Sequence, residues 1–301
     1  MKSPLRLGII GLSDGNGHPY SWSAIFNGYE PEAMEACGFP VIPRYLEKQN
    51  FPNDAISDAK VTHVWTQDEA ISKHVARAAR IPNVCARFDD MIGSVDGILL
   101  ARDDAPTHFE FAAPFLDAGL PVYIDKPIAL SLAELNRLYA HQQYPGQIFT
   151  CSALRYAGEF HLDEAARDEI GPIRALHAVT PKDWDRYAVH VIEPSLALLG
   201  EQGTIADSHV MKTENGGAEL AVRWESGVRA RFSAMGHGVS CPLVLRVMGE
   251  RGWRDLVFRD SFAAFRSALD DFVGGIRQKD VRAAPGFVRQ VVDLVERGNA
   301  E

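Results

Sequence analysis

One stretch, Val95 to Ser131 (VDGILLARDDAPTHFEFAAPFLDAGLPVYIDKPIALS), restricts the chain to few folds. Gly97-Ile98-Leu99-Leu100-Ala101 is a short unbroken apolar run, the pattern of a parallel strand buried on both faces. Pro106 suits the first turn of a helix. Phe109, Ala112, Ala113, Leu116 and Ala118 then recur at helical spacing, and Gly119 stands where a C-terminal cap belongs. Pro121-Val122-Tyr123-Ile124 reads as a second strand, so the stretch predicts a βαβ unit. Its last strand delivers Asp125, Lys126 and Pro127 to the carboxyl end of a parallel sheet, where open α/β sheets bind ligands. Charged groups at a buried strand end cost free energy unless they have partners or a task.

The sequence of strand, APTHFEFAAPFLDAG and PVYIDKP resembles the Gfo/Idh/MocA oxidoreductases, whose usual signature at this place is Glu-Lys-Pro. The resemblance is strongest from Val95 to Ser131, extends over the C-terminal half, and is poorest from Leu12 to Lys60. It implies an α/β fold: an N-terminal Rossmann-type, doubly wound parallel sheet and a C-terminal α/β domain with an open, mostly antiparallel sheet. Ser131, with Glu134 three residues into the helix, forms a capping box; that helix resembles the element crossing between the family's domains. The boundary is therefore placed near Pro127, giving residues 1–127 for dinucleotide binding and 128–301 for substrate and oligomer contacts. A homo-oligomer, dimer or tetramer, is implied by the family's sheet face.

Composition narrows the function. The 301 residues suffice for two domains, at roughly 100–200 residues each. The formal net charge of −9 without a basic block argues against nucleic acid or an anionic membrane surface. No apolar stretch approaches a membrane span, and Met1-Lys2-Ser3-Pro4 leads into a strand without a signal-peptide core. Cys37, Cys85, Cys151 and Cys241 lie far apart, which reads as reduced thiols in a cytoplasmic protein. No HExxH or HxH spacing supports a metal site, and no GxSxG or P-loop appears.

Leu5 to Gly11 reads as the opening strand. The loop after it, Gly11-Leu12-Ser13-Asp14-Gly15-Asn16-Gly17, departs from GxGxxG, with Ser13 in place of the second glycine. The resemblance makes Gly11, Ser13, Gly15 and Gly17 candidate cofactor contacts, with Asp104, Asp125 and Lys126 at the later strand ends. His18 and Tyr20 follow at the mouth of the turn and are candidate substrate contacts. Asn27 to Lys60 carries four prolines and little periodicity. It reads as an inserted irregular segment, either a cover for the site or partner surface, or a structural elaboration. Val61 to Trp65 is the second strand; Thr66 occupies the place of a ribose-binding acid and Asp68 comes two residues later. The cofactor is thus NAD or NADP, with NAD favoured.

Ile148 to Leu154 reads as the first strand of the second domain, ending at Arg155, a candidate substrate contact. Strands are expected at 174–179, 219–224, 228–234, 243–249 and 253–259, and helices at 162–170, from Phe262 to Ile276 and at 288–295. Trp184 to Gly200 opens a helix whose His190 and Glu193 match the family's Asp-x-Gly-x-His-x-x-Asp. Arg186 replaces the leading acid and Ala188 the glycine; Asp183 reads as an acid at the helix start. Imidazole titrates near working pH, so His190 suits proton transfer. Lys126 would polarise the substrate oxygen, Tyr187 would assist as a donor, and the fork of Arg186 would suit an anionic substrate.

The resulting expectation is NAD(P)-dependent oxidation or reduction at a hydroxyl or keto carbon of a sugar-like small molecule, with Lys126 and His190 meeting in one cleft. The altered glycine loop, Thr66 and Arg186 leave two alternatives: a non-catalytic or regulatory Rossmann-fold binding protein, or a non-redox lyase or hydrolase that keeps its cofactor.

Overall fold

The computed structural model describes residues 3–300. Met1, Lys2 and Glu301 lie outside them, and with them part of the N-terminal reading. The chain divides into two compact units. One comprises residues 1–129, 133–150 and 265–285; the other comprises 130–132, 151–264 and 286–301. Both units are therefore discontinuous in sequence, unlike the single break expected near Pro127.

The first unit is built on six parallel strands: β1 (Leu5–Ile10), β2 (Ala59–Trp65), β3 (Asn83–Val84), β4 (Gly97–Leu100), β5 (Val122–Ile124) and β6 (Ile148–Phe149). Their order is β3-β2-β1-β4-β5-β6. The direction of winding reverses between β1 and β4, and open α/β sheets bind ligands at the carboxyl ends of strands flanking such a reversal. Every residue of β4 is buried, as its unbroken apolar sequence predicts. Helices α1 (His18–Asn27), α4 (Glu69–Ala78), α5 (His108–Asp117) and α6 (Leu132–Tyr139) connect the strands. Two shorter ones, α2 (Pro31–Glu35) and α3 (Val41–Leu46), lie between α1 and β2.

Two expectations change here. Ile148-Phe149 does not open the second unit; it pairs in parallel with β5 and closes the first sheet. A two-residue apolar strand carries no signal in sequence for the edge it will join. The segment from Asn27 to Lys60 is also not wholly irregular, since it holds α2 and α3. Glu30 caps α2 by accepting from the amides of Glu32 and Ala33, and Met34, Ile42, Leu46 and Ile56 are buried.

In the second unit a mixed six-stranded sheet has the order β12-β11-β7-β10-β9-β8. Its strands are β7 (Ile173–Thr180), β8 (Ile205–Lys212), β9 (Ala218–Trp224), β10 (Arg229–Ala234), β11 (Val244–Gly249) and β12 (Trp253–Val257). Only β7 and β10 run parallel; the remaining pairs are antiparallel. Strand β8 was not foreseen, because most of its side chains are exposed and it shows no alternation. Helices α7 (Glu164–Ile170), α8 (Trp184–Tyr187), α9 (Val189–Leu199) and α11 (Pro285–Gly298) complete the unit. Helix α10 (Ser261–Gln278) begins in this unit, and from Phe265 onward belongs to the first, where Phe272 packs on Tyr123 and Phe149. Among the described residues no helix is long and apolar enough to cross a membrane.

Candidate functional site

At the carboxyl ends of β1, β4 and β5 the first unit gathers an unusual number of buried polar side chains: Ser13, Asn16, Arg102, Asp103, Asp125 and Lys126 are each less than a tenth exposed. Three carboxylates organise them. Asp103 accepts from the Ser13 hydroxyl at 2.6 Å and lies 3.4 Å from the Lys126 ammonium. Asp104 holds the Arg102 guanidinium through Nε and Nη2, at 3.0 and 2.6 Å. Asp125 receives Asn16 Nδ2 at 2.9 Å, the Lys126 backbone amide at 2.8 Å and His18 Nδ1 at 2.5 Å. The buried ions are thus paired and further hydrogen-bonded, the condition under which burial of charge is tolerated.

The glycine loop is shaped by the protein around it. A Cβ on Gly11 would lie 2.3 Å from Pro19 Cγ, and one on Gly17 would lie 2.6 Å from Ile42 Cδ1 and 2.7 Å from Phe39 Cγ. The segment after α1 therefore packs directly against this loop. Gly15 differs: its φ is +76°, and a Cβ there meets nothing within 4 Å, so a ligand can approach the backbone. Gly15 would leave room for a dinucleotide to approach the backbone at this end of the sheet, whereas the charges of Arg102 and Lys126 are already met by Asp104 and Asp103. When bound, the nicotinamide supplies the hydride acceptor or donor, and the protein supplies position and proton handling.

Three amides flanking this loop have partners within the chain. The Leu12 amide donates to Gln67 Oε1 at 2.9 Å, the His18 amide to Asn16 Oδ1 at 2.8 Å, and the Tyr20 amide to the Gly17 carbonyl at 3.1 Å. Pro19 has no N–H to offer. Arg102 Nη1 also reaches the Leu12 carbonyl at 3.1 Å and Gln67 Oε1 at 3.2 Å. At the end of β2, the Thr66 hydroxyl donates to the Asp68 carbonyl at 2.7 Å, and the Asp68 carboxylate caps α4 through the amides of Ala70 and Ile71. Tyr20 is buried, with its hydroxyl 2.8 Å from His74 Nδ1; burial pushes its phenol up to about 12.

The second unit carries its own cluster. His190, on the first turn of α9, meets the Ser152 hydroxyl through Nδ1 at 2.9 Å. The Ser152 amide donates to Glu193 Oε2 at 2.6 Å, and Glu193 Oε1 is 3.2 Å from Arg155 Nη1. Burial pushes the Glu193 carboxyl up to about 7, against the pull of Arg155 and the Ser152 amide. Arg155 also donates to the Tyr156 hydroxyl at 2.6 Å. The Tyr187 ring stands edge-on to His190 at 5.2 Å, and its hydroxyl accepts from Lys182. Asp183 caps α8 through the Arg186 amide at 3.0 Å, the place expected of it.

The first unit thus brings Ser13, His18, Asp125 and Lys126 into one network, with Asp104 beside it; Thr66 and Tyr20 serve local contacts. The second brings His190 and Tyr187 together, with Arg155 joined to them through Glu193 and Ser152. Sequence reasoning did not single out Asn16, Asp103, Arg102, Gln67 or Ser152. Asn16 and Asp103 sit beside residues it named, which was the available signal.

Residues 41–152 match the family described as "Oxidoreductase family, NAD-binding Rossmann fold", GFO_IDH_MocA. The match begins beyond the loop of residues 11–17. A protein of Amycolatopsis mediterranei, provisionally named UDP-kanosamine synthase oxidoreductase subunit, is 29% identical over 118 residues, 39% of this chain. The chain spans 33% of that relative's length. Among solved structures, myo-inositol 2-dehydrogenase from Lactobacillus plantarum superposes with a TM-score of 0.73 at 16% identity, covering 99% of this chain and 96% of that one. Scyllo-inositol dehydrogenase from Lactobacillus casei, with bound NAD(H) and scyllo-inositol, gives 0.68 at 14% identity, covering 97% and 95%. At these identities the likeness to the solved structures is one of fold.

Proposed function

We propose that this chain, whose residues 41–152 match the Gfo/Idh/MocA oxidoreductase family, transfers hydride between a nicotinamide dinucleotide and a hydroxyl or keto carbon of a polyhydroxylated, sugar-like molecule. The observation that carries this reading is the Lys126–Asp103 pair at the end of β5. It presents a buried ammonium beside the glycine loop in a parallel sheet of order β3-β2-β1-β4-β5-β6. Lys126 is assigned to the substrate oxygen, where a fixed positive charge stabilises developing negative charge. His190 is assigned to proton transfer, with Tyr187 and Arg186 beside it in sequence as substrate contacts. Inositols and nucleotide sugars are the substrate classes to try first, because they appear in the names of the relatives above. NAD is the expected form, because Thr66, Gln67 and Asp68 follow Trp65 with no cationic side chain among them.

The test is oxidation of a polyol panel, myo-inositol and scyllo-inositol included, with NAD+ or NADP+, read as absorbance of the reduced nicotinamide. Turnover with one cofactor supports the reading. Binding of a cofactor without turnover of any polyol or nucleotide sugar counts against it. A second reading, a binding protein without turnover, is favoured by one specific feature: the amides of Leu12, His18 and Tyr20 are all spent within the chain.

A further inference from the structure

His18 was singled out above only as a substrate contact, yet its surroundings are those of a proton-transfer group. Its ring is fixed on three sides. Trp22 stacks on it with centroids 4.8 Å apart and planes at 15°; Phe265 meets it edge-on at 5.0 Å; and Asp125 Oδ2 lies 2.5 Å from Nδ1. Asp125 is 1% exposed, and the other groups that reach its carboxylate are donors, Asn16 Nδ2 and the Lys126 amide. A carboxylate already serving two donors as acceptor takes a proton-bearing Nδ1 as its third. This places the ring proton on Nδ1 and leaves the lone pair on Nε2. Nε2 has no hydrogen bond among the described residues, and the side chain keeps 17% of its surface exposed. A histidine oriented by a buried carboxylate, with its second nitrogen open, is suited to accept a proton and to be stabilised as it does so.

We propose that His18, oriented by Asp125, is the group that removes the substrate hydroxyl proton. The proposal rests on the oxidoreductase reading above and revises its assignment of the base. In the oxidation direction the O–H proton passes to His18 Nε2. The C–H hydrogen leaves with its electron pair to the nicotinamide dinucleotide, and the carbinol C–O becomes C=O. Reduction runs the same steps backwards, with the imidazolium as acid. Asp125 is the positioning residue. Its hold on the Lys126 amide ties the orientation of the base to the strand end that carries the ammonium.

Two measurements on the full chain test this. Long-range proton–nitrogen NMR with labelled histidine reads the tautomer. Neutral His18 is expected with its proton on Nδ1 in the wild type, and predominantly on Nε2 in Asp125→Asn. A wild-type proton on Nε2 overturns the proposal, and this readout stands even if the variant does not fold. In the polyol assay, His18→Asn is expected to cut kcat at least roughly 100-fold, with quenching of tryptophan fluorescence by the cofactor retained. An unchanged kcat, or cofactor binding without oxidation of any polyol in the wild type, overturns the role. Absence of cofactor binding in the wild type is a different result: it removes the oxidoreductase reading itself, whatever the tautomer of His18.

Discussion

The ammonium of Lys126 stands 3.4 Å from Oδ2 of Asp103, in a pair where neither side chain is as much as a tenth exposed. Breaking such a pair from one side leaves an uncompensated buried charge, at a cost of roughly 3–5 kcal/mol. Asp103→Asn keeps the shape and the Ser13 contact but removes the charge. It is expected to lower the unfolding free energy by about 3 kcal/mol in urea titration. Lys126→Met removes the charge assigned to the substrate oxygen. It is expected to reduce kcat by roughly 10²–10³ while leaving the circular dichroism spectrum unchanged, and a near-normal rate would clear Lys126 of that role.

Ser152 links two features of the second unit: its hydroxyl meets His190 and its amide meets Glu193. Ser152→Ala removes only the first link. If His190 acts on substrate, this variant should lose roughly tenfold in kcat and His190→Asn roughly 10²–10⁴. If proton transfer belongs to His18 instead, His190→Asn should raise KM and leave kcat within a few fold. Steady-state kinetics of the two variants separates these outcomes.

Glu193 gives the chain a pH dependence of definite sign. Its carboxyl is raised to about 7 from 4.5, chiefly by burial. Between those values the folded state holds a proton that the unfolded state has released, so stability falls as pH rises through this window. The contribution is complete below about pH 4.5 and fades as pH passes about 7, on the order of 3 kcal/mol in all. Comparison of wild type with Glu193→Gln by urea unfolding at pH 5 and pH 8 isolates it. The wild type should lose stability relative to the variant on going to pH 8, and a constant difference would contradict the assignment.

The two glycines of the first loop should respond differently to alanine. Gly11→Ala drives a methyl to 2.3 Å from Pro19 Cγ, a rigid ring at the start of α1, and should cost about 1–3 kcal/mol by overpacking. Gly15→Ala meets no neighbour, but φ of +76° disfavours any Cβ, at a cost of about 1 kcal/mol. Its larger effect should be on cofactor affinity, because its open face is the approach left to a ligand. Thermal melts and cofactor titrations of both variants check the contrast.

The βαβ unit from β4 to β5 was legible because every cue agreed: an unbroken apolar run, a proline-led helix, a glycine stop and a second apolar run. The reach of β6 was not, since two residues carry no pairing information. Nor was β8, whose exposed Asp207, Ser208 and His209 resemble a loop. Helices α2 and α3 were hidden by their length and by prolines that in fact begin or continue them. For the site, sequence position named His18, Asp125 and Lys126 separately. It could not show that His18 and Asp125, 107 residues apart, share a hydrogen bond, because that contact depends on which strand ends neighbour one another.

The account depends most on a nicotinamide dinucleotide binding to the first unit. Trp22, stacked on His18 and Tyr123, places an intrinsic fluorophore within the cluster. Titration of NADH and NADPH into the full chain should quench tryptophan emission saturably with at least one of them, and Gly15→Ala should weaken that binding. Emission unchanged up to millimolar concentrations of both would contradict the account.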